Sequence, residues 1–262
     1  MMFGKENVEV YSVDEAFVNL DFIPKEKINE VAFKIREIVE MWTGIKVSVG
    51  VAPTKVLAKA ANRLAKKNKE ATQCVLVLDT KKKIEKALEK TKVDDVWGIG
   101  YQYAEKLNHF GITNALQLSM KTPEFAKKHL GGIVGLRLLR ELQGYVSIQM
   151  DDELINKKMI MTTRMFGEPV NDFKSIREAV ATYTSRAAEK LRRQSGAAKH
   201  IGVFIVAKEE NHNVSYKRGA TISSYTTLPM ATSLTQELIK PAVAIAERLY
   251  EKGRSYKKAG VM

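Results

Sequence analysis

The sequence predicts an α+β multidomain chain with an α/β layer over residues 1–91, a helical segment over 92–150 and a β-α-β-β-α-β unit over 159–262. Three observations carry this reading. Residues 1 to about 90 alternate short β-branched runs with amphipathic stretches of helical spacing. From Lys92 the strand signals stop and the glycine-punctuated run DDVWGIGYQYAEKLNHFGITNALQL begins. From Met159, after a polar linker around Asp151 to Lys158, strands and helices return in a different order.

The first elements are two short strands between Val8 and Leu20, joined at Asp14-Glu15. An acidic pair is acceptable at a hairpin tip, so an ordinary turn accounts for both carboxylates when they are taken alone. Pro24 opens a helix to about Trp42, with Ile28, Val31, Ile35, Ile38, Val39 and Trp42 on one side, and Gly44 ends it. VSVGVA is a strand. Thr54 is placed to cap the helix KVLAKAANRLAKK, whose narrow apolar stripe (Val56, Leu57, Ala60, Ala61, Leu64) opposes Lys55, Lys59, Arg63, Lys66 and Lys67. CVLVLD is a strand, and a lysine-rich helix runs from Lys81 to about Lys90.

In the last third TTRMFG is a strand and Phe173 to Arg193 a helix. HIGVFIVA and KRGATISSYTTL are strands, Leu234 to Tyr250 is a helix, and YKKAGVM is a strand. That element order is ferredoxin-like.

Composition narrows the function. Lys and Arg number 43 against 30 acidic residues, a net charge of +13 over 262 residues, which suits a partner with dense negative charge such as nucleic acid. The single cysteine, Cys74, rules out a disulfide framework within the chain, fits a reducing cytosol and reads as a small core residue. The four histidines lack ligand spacing, so a zinc site is not expected. There is no membrane-spanning run of ~18 apolar residues and no signal-peptide pattern at the start, so a membrane is not an expected partner and the expected location is cytoplasmic.

WGIGYQYAEKLNHFGI has the form of a helix-hairpin-helix. Gly98 and Gly100 let the backbone turn and approach another surface, their N–H groups can cradle a phosphate, and Lys106 in the next helix adds a charge. The alternative is a plain glycine-containing helix turn. Lys55 lies in the first turn of its helix, where the helix dipole disfavours a cation unless an anion such as a triphosphate lies beside it. Asp14 and Glu15 could ligate a hard divalent cation, although phosphoryl transfer usually needs a further carboxylate on a neighbouring strand.

Together and in this order, the segments resemble the Y-family translesion DNA polymerases. YSVDEAF is similar to the family's S-x-D-E motif in the palm, VSVGVAPTKVLAKAANRLAKK to its nucleotide-contacting strand and helix, and VDDVWGIG to its thumb hairpin. VDDVWGIG, TTRMFGE, TYTSRAAEKLR and YKKAGVM are similar to the UmuC/ImpB/MucB/SamB group, the polymerase V catalytic subunit type.

The resemblance implies a partial palm (1–91), a helix-hairpin-helix thumb (92–150) and a little finger (159–262). It implies translesion synthesis in DNA repair and the SOS response. Asp14 and Glu15 would be ligands of a two-ion Mg²⁺ site and Lys55 would bind the deoxynucleoside triphosphate. Gly98, Gly100 and Lys106 would meet the primer-template DNA. Arg164, Lys217, Arg218, Lys257 and Lys258 would meet its backbone from one sheet face. Family members carry an aspartate-bearing strand and fingers ahead of the S-x-D-E motif, whereas this chain starts just before it. The expectation is therefore a chain lacking the first catalytic carboxylate and the fingers, incomplete at the last little-finger strand, and inactive or nearly so alone. A non-catalytic, sequence-independent DNA-binding module is the alternative. A sliding clamp or a UmuD-type accessory subunit is a further possible partner.

Overall fold

The computed structural model describes residues 3–150, 159–210 and 219–262. They belong to two compact units, Met1–Asp152 and Glu153–Met262.

In the first unit, β1 (Val8–Val10) and β2 (Ala16–Val18) form an antiparallel hairpin with Glu9 opposite Phe17. A 3-10 turn at Lys25–Lys27 leads into α1 (Ile28–Thr43), which Gly44 ends in the left-handed region, at φ 68°. The parallel pair β3 (Val49–Val51) and β4 (Val75–Val77) flanks α2 (Lys55–Lys67) and the single turn α3 (Lys69–Thr72). α4 is Lys81–Lys90. A 3-10 turn at Val93–Asp95 then opens the helical part: α5 (Tyr101–His109), α6 (Ala115–Ser119), α7 (Pro123–His129) and α8 (Ile133–Leu142).

The expected β-β-α-β-α-β-α order of the first 90 residues is present, but as two separate two-stranded sheets. The expected stripe of α1 is mostly half-buried, with only Ala32 fully buried. Cys74 is not a core residue. It is half-buried and, like Gln73, left-handed (φ 62° and 50°), where the chain turns out of α3 into β4.

α2 is the best-buried helix of the layer, covering Val56, Leu57, Ala60, Ala61, Leu64 and Ala65. It lies close on β3 because of Gly50, where a Cβ would stand 2.1 Å from the Asn62 nitrogen and 2.4 Å from the Ala58 oxygen. One core joins Val56, Leu57 and Leu88 to Leu107, Leu118, Leu139 and Leu142 of the helical part.

A charged residue sits inside that junction. Glu141 of α8 is 0% exposed. Its carboxylate accepts from the N–H groups of Val56 (3.3 Å), Ser147 (2.6 Å) and Ile148 (2.9 Å). The Thr54 hydroxyl donates to the Glu141 carbonyl (2.8 Å) while accepting from the Leu57 N–H as the α2 cap. A buried carboxylate is tolerable when backbone donors take up its lone pairs.

The second unit contains β5 (Thr162–Val170), α9 (Phe173–Arg193), β6 (Ala198–Glu210), β7 (Gly219–Thr232), α10 (Thr235–Leu249) and β8 (Tyr256–Val261). The β-α-β-β-α-β order stands, but the sheet order is β5-β8-β6-β7 with every neighbour antiparallel. A ferredoxin-like sheet has its first and third strands in the centre, whereas here the second and fourth are central. The α9 crossover leaves a gap between β5 and β6, and β8 fills it. Val203, Ile205, Ala259 and Val261 face the helices and pack with Ile176, Val180, Ala242 and Ile245.

Two outcomes are expected. Glu141→Ala leaves one buried and two half-buried N–H groups without that acceptor and lowers the stability of the first unit by about 3 kcal/mol, and Glu141→Gln by roughly half of that. Urea unfolding followed by tryptophan fluorescence reads this directly, since Trp42 and Trp97 both lie in that unit.

The second concerns Asp95, which holds Arg63 and Lys67 of α2 at the turn before α5. Its desolvation alone would raise the carboxyl, but the Lys67 hydrogen bond and the Arg63 and Lys67 charges outweigh it and hold the carboxyl below its ordinary value. A depressed folded pKa stabilises the fold above the ordinary carboxylate range, and that contribution fades as pH falls through the lower folded value. The urea midpoint should therefore fall more steeply for the wild type than for Asp95→Asn between about pH 5 and pH 2.

Candidate functional site

The hairpin tip is built by its backbone. The N–H groups of Tyr11 and Ser12 both donate to the Glu15 carbonyl at 3.0 Å, closing residues 11–15 into a loop that presents Asp14 and Glu15 at the surface. The two carboxylates have different neighbours. Asp14 Oδ1 accepts from the Ser12 hydroxyl (2.7 Å), and the second oxygen has no partner among the described residues. Glu15 Oε2 pairs with Lys59 Nζ at 2.7 Å, the Glu15 side chain remaining 45% exposed.

Lys55 and Lys59 are one helical turn apart on α2 and both face this hairpin. Lys55 Nζ bonds Glu9 Oε2 and donates to the Gln149 carbonyl (2.6 Å); the Lys55 and Glu9 side chains are each 9% exposed. Both ammonium groups lie over aromatic rings, Lys55 over Phe17 at 5.1 Å and Lys59 over Tyr11 at 4.7 Å. Tyr11 and Phe17 pack edge-to-face with Trp97, whose Nε1 donates to the Tyr11 hydroxyl at 3.0 Å. Trp97 immediately precedes Gly98, so the aromatic triad attaches the glycine loop to the hairpin.

Gly98 has φ +94°, a conformation that favours glycine, and Gly100 is the extended N-cap of α5. Both are exposed, and their N–H groups have no partner among the described residues. Lys106 does not extend from this loop. Its ammonium donates to the His129 carbonyl of α7 at 3.3 Å. His129 is held below its ordinary pKa by desolvation and by the charges of Lys106 and Lys128.

Asp14, Glu15, Lys55, Gly98 and Gly100 are thus linked through one connected set of contacts. Sequence reasoning missed three members of that set. Glu9 of β1 is the partner of Lys55. Lys59, read only as part of a basic face, is the partner of Glu15. Trp97 joins the two halves. The i, i+4 spacing of Lys55 and Lys59 is the signal that both reach one neighbour. Among the described residues no group of three or more His, Cys, Asp or Glu side chains is placed to hold a metal ion.

In the second unit the expectation that the basic residues line one sheet face is overturned. Arg164 pairs with Ala259 across the ladder and Met165 with Lys258. Ala259 belongs to the helix-covered core, so Arg164 lies on that side and Lys258 on the open one. Adjacent residues of a strand alternate between faces, and a register shift between Val206 and Ala207 further displaces Lys257. Lys258 Nζ lies over the Phe204 ring at 5.8 Å. Lys217 and Arg218 lie outside the described residues.

Comparison with known proteins agrees with this architecture. The model of the impB/mucB/samB family matches residues 2–63, and that of the impB/mucB/samB family C-terminal domain matches 157–262. Protein UmuC of Salmonella typhimurium is 36% identical over 97% of this chain, and Protein MucB of Escherichia coli 33% identical over 98%. The chain spans 60% of the length of each of these two relatives. DNA polymerase IV 2 of Agrobacterium fabrum is 28% identical over 97% of the chain. Among solved structures, the Y-family DNA polymerase chimera Dbh-Dpo4(243-245)-Dbh superposes with a TM-score of 0.71 at 24% identity, covering 98% of this chain and 70% of its own, a likeness of fold. Matched by both models of one family and similar to its members along nearly all its residues, the chain belongs to the impB/mucB/samB family.

Proposed function

We propose that this chain is the primer-template-binding part of an error-prone translesion DNA polymerase, with the tip of the β1–β2 hairpin as the metal-binding end of its palm. The observation that carries the proposal is the linkage of the Asp14-Glu15 tip to the α2 lysines and, through Tyr11 and Trp97, to the glycine loop. In this reading residues 92–150 are the thumb and 159–262 the little finger.

The donor set fits Mg²⁺. Asp14 and Glu15 are surface carboxylates offering hard oxygen ligands, and Asp14 keeps one oxygen without a partner among the described residues. Bound there, Mg²⁺ would neutralise charge developing on the phosphoryl oxygens. Lys59 now neutralises Glu15, so Glu15 would serve as a ligand only with Lys59 turned to an incoming phosphate. Lys55 would make the same exchange from Glu9 to the triphosphate. Gly98 and Gly100 would accept a DNA phosphate on their N–H groups. Two carboxylates leave the cation short of protein ligands, so the chain alone is expected to bind DNA far better than it extends a primer.

Fluorescence anisotropy with labelled primer-template should show binding independent of sequence that weakens about 10³-fold between 50 and 200 mM salt, as six or more phosphate contacts require. Absence of binding at low salt would defeat the proposal. In a primer-extension assay with Mg²⁺ and all four deoxynucleotides, the chain should stay near background, and Asp14→Ala should change little. Rapid extension that Asp14→Ala abolishes would show that two carboxylates suffice.

A further inference from the structure

We infer that the groove between β5 and α9 in the second unit is a phosphate-binding site for a nucleic-acid strand, separate from the open face of the sheet. The groove is an open cleft of about 460 Å³. Arg186, Lys190 and Arg193 reach it from α9, and Arg164 and Thr162 from β5.

Positions 186, 190 and 193 follow the i, i+4, i+7 spacing of one helix face. They form a ladder about 10 Å long at the α-helical rise. Arg164 faces that ladder because the ladder register puts it on the helix-covered side of β5. The charges do not cancel. Among the described residues Glu189 is the only acidic one lining the cleft, and it pairs with Arg193 at 2.5 Å. Arg164, Arg186 and Lys190 have no ion pair among the described residues, and all three are exposed.

A basic helix face is often merely solvated. The floor of this cleft argues for a ligand. Thr162 is buried, and its hydroxyl is one of only two buried side-chain polar atoms without a hydrogen-bond partner among the described residues. A buried hydroxyl without a partner costs free energy, and a rotation of Thr162 that opens its hydroxyl to the cleft would let an anion accept its hydrogen bond. Three like charges converging above it would be neutralised by the same anion. Guanidinium forks match phosphate oxygens in pairs. The ladder exceeds what one phosphate can occupy and suits successive phosphates of a strand.

Lysine acetylation of the full chain, read by mass spectrometry with and without saturating oligothymidylate, tests this locally. Lys190 reactivity should fall about fivefold in the complex. The combined Arg164→Gln, Arg186→Gln, Lys190→Gln variant should lose about two units from the slope of log affinity against log salt, at ~0.7 per lost single-strand phosphate contact. Inorganic triphosphate should not reproduce the protection at equal phosphate concentration. Unchanged Lys190 reactivity in the saturated complex would overturn the inference. So would equal protection by triphosphate, which would make the site one for soluble polyphosphates. Because the readout sits on α9, it is independent of whether the hairpin tip binds metal.

Discussion

The buried carboxylate of Glu141 is the constraint on which the first unit depends. One side chain of α8 accepts three backbone N–H groups, one in the first turn of α2 and two in the segment after α8. A negative charge beside a helix N-terminus is favourable, and here it also fixes where the helix begins. Thr54 acts with it, capping α2 by its own oxygen while donating to the Glu141 carbonyl. With the start of α2 fixed from outside, Lys55 and Lys59 have one direction to point, toward the β1–β2 hairpin. The segment that Glu141 holds at Ser147 and Ile148 also leads to Gln149, whose carbonyl receives Lys55. A single buried acid therefore aligns both the lysines and part of their surroundings.

This arrangement answers an electrostatic difficulty visible in the sequence. Lys55 at the start of a helix is unfavourable by the dipole argument, and an anionic ligand was one way to offset it. The fold supplies protein anions instead: Glu9 on Lys55, Glu15 on Lys59 and Glu141 at the helix end itself. The lysines also rest on the Phe17 and Tyr11 rings, which attract cations without carrying charge. Hairpin and helix are held together by these pairs although neither β1 nor β2 contributes a fully buried residue.

Much of the fold was legible because it rests on local signals. Thr54 before an apolar stripe, Gly44 after α1 and the long stripe of α9 each specify an element boundary by short-range chemistry. The residues that complete the candidate site were not legible, because their partners are distant in sequence. Glu9 meets Lys55 across 46 positions and Glu141 meets Val56 across 85. Glu141 sits among leucines in LREL, where a charge is ordinarily read as solvent-facing; nothing local says that three N–H groups converge on it. The basic residues of the second unit failed for another reason. A side chain's face depends on strand register, and one residue of offset moves it to the other side. Arg164 and Lys258 are nearly opposite on the β5–β8 ladder, yet they face opposite ways.

The tip carboxylates differ in what holds them, and that difference orders events at the proposed site. Among the described residues Asp14 is held by a serine hydroxyl alone, so a cation could take its second oxygen without breaking an ion pair. Glu15 is bound to Lys59, and freeing it requires that ammonium to find another anion. In the proposed function a triphosphate would supply that anion, and a bound cation would supply the charge that Glu15 then faces. Metal and nucleotide should accordingly bind with positive coupling, each removing a partner that the other would have to displace. In the proposed function these pairs would be the resting arrangement of a charge exchange, with both lysines held beside the tip by Glu9 and Glu15.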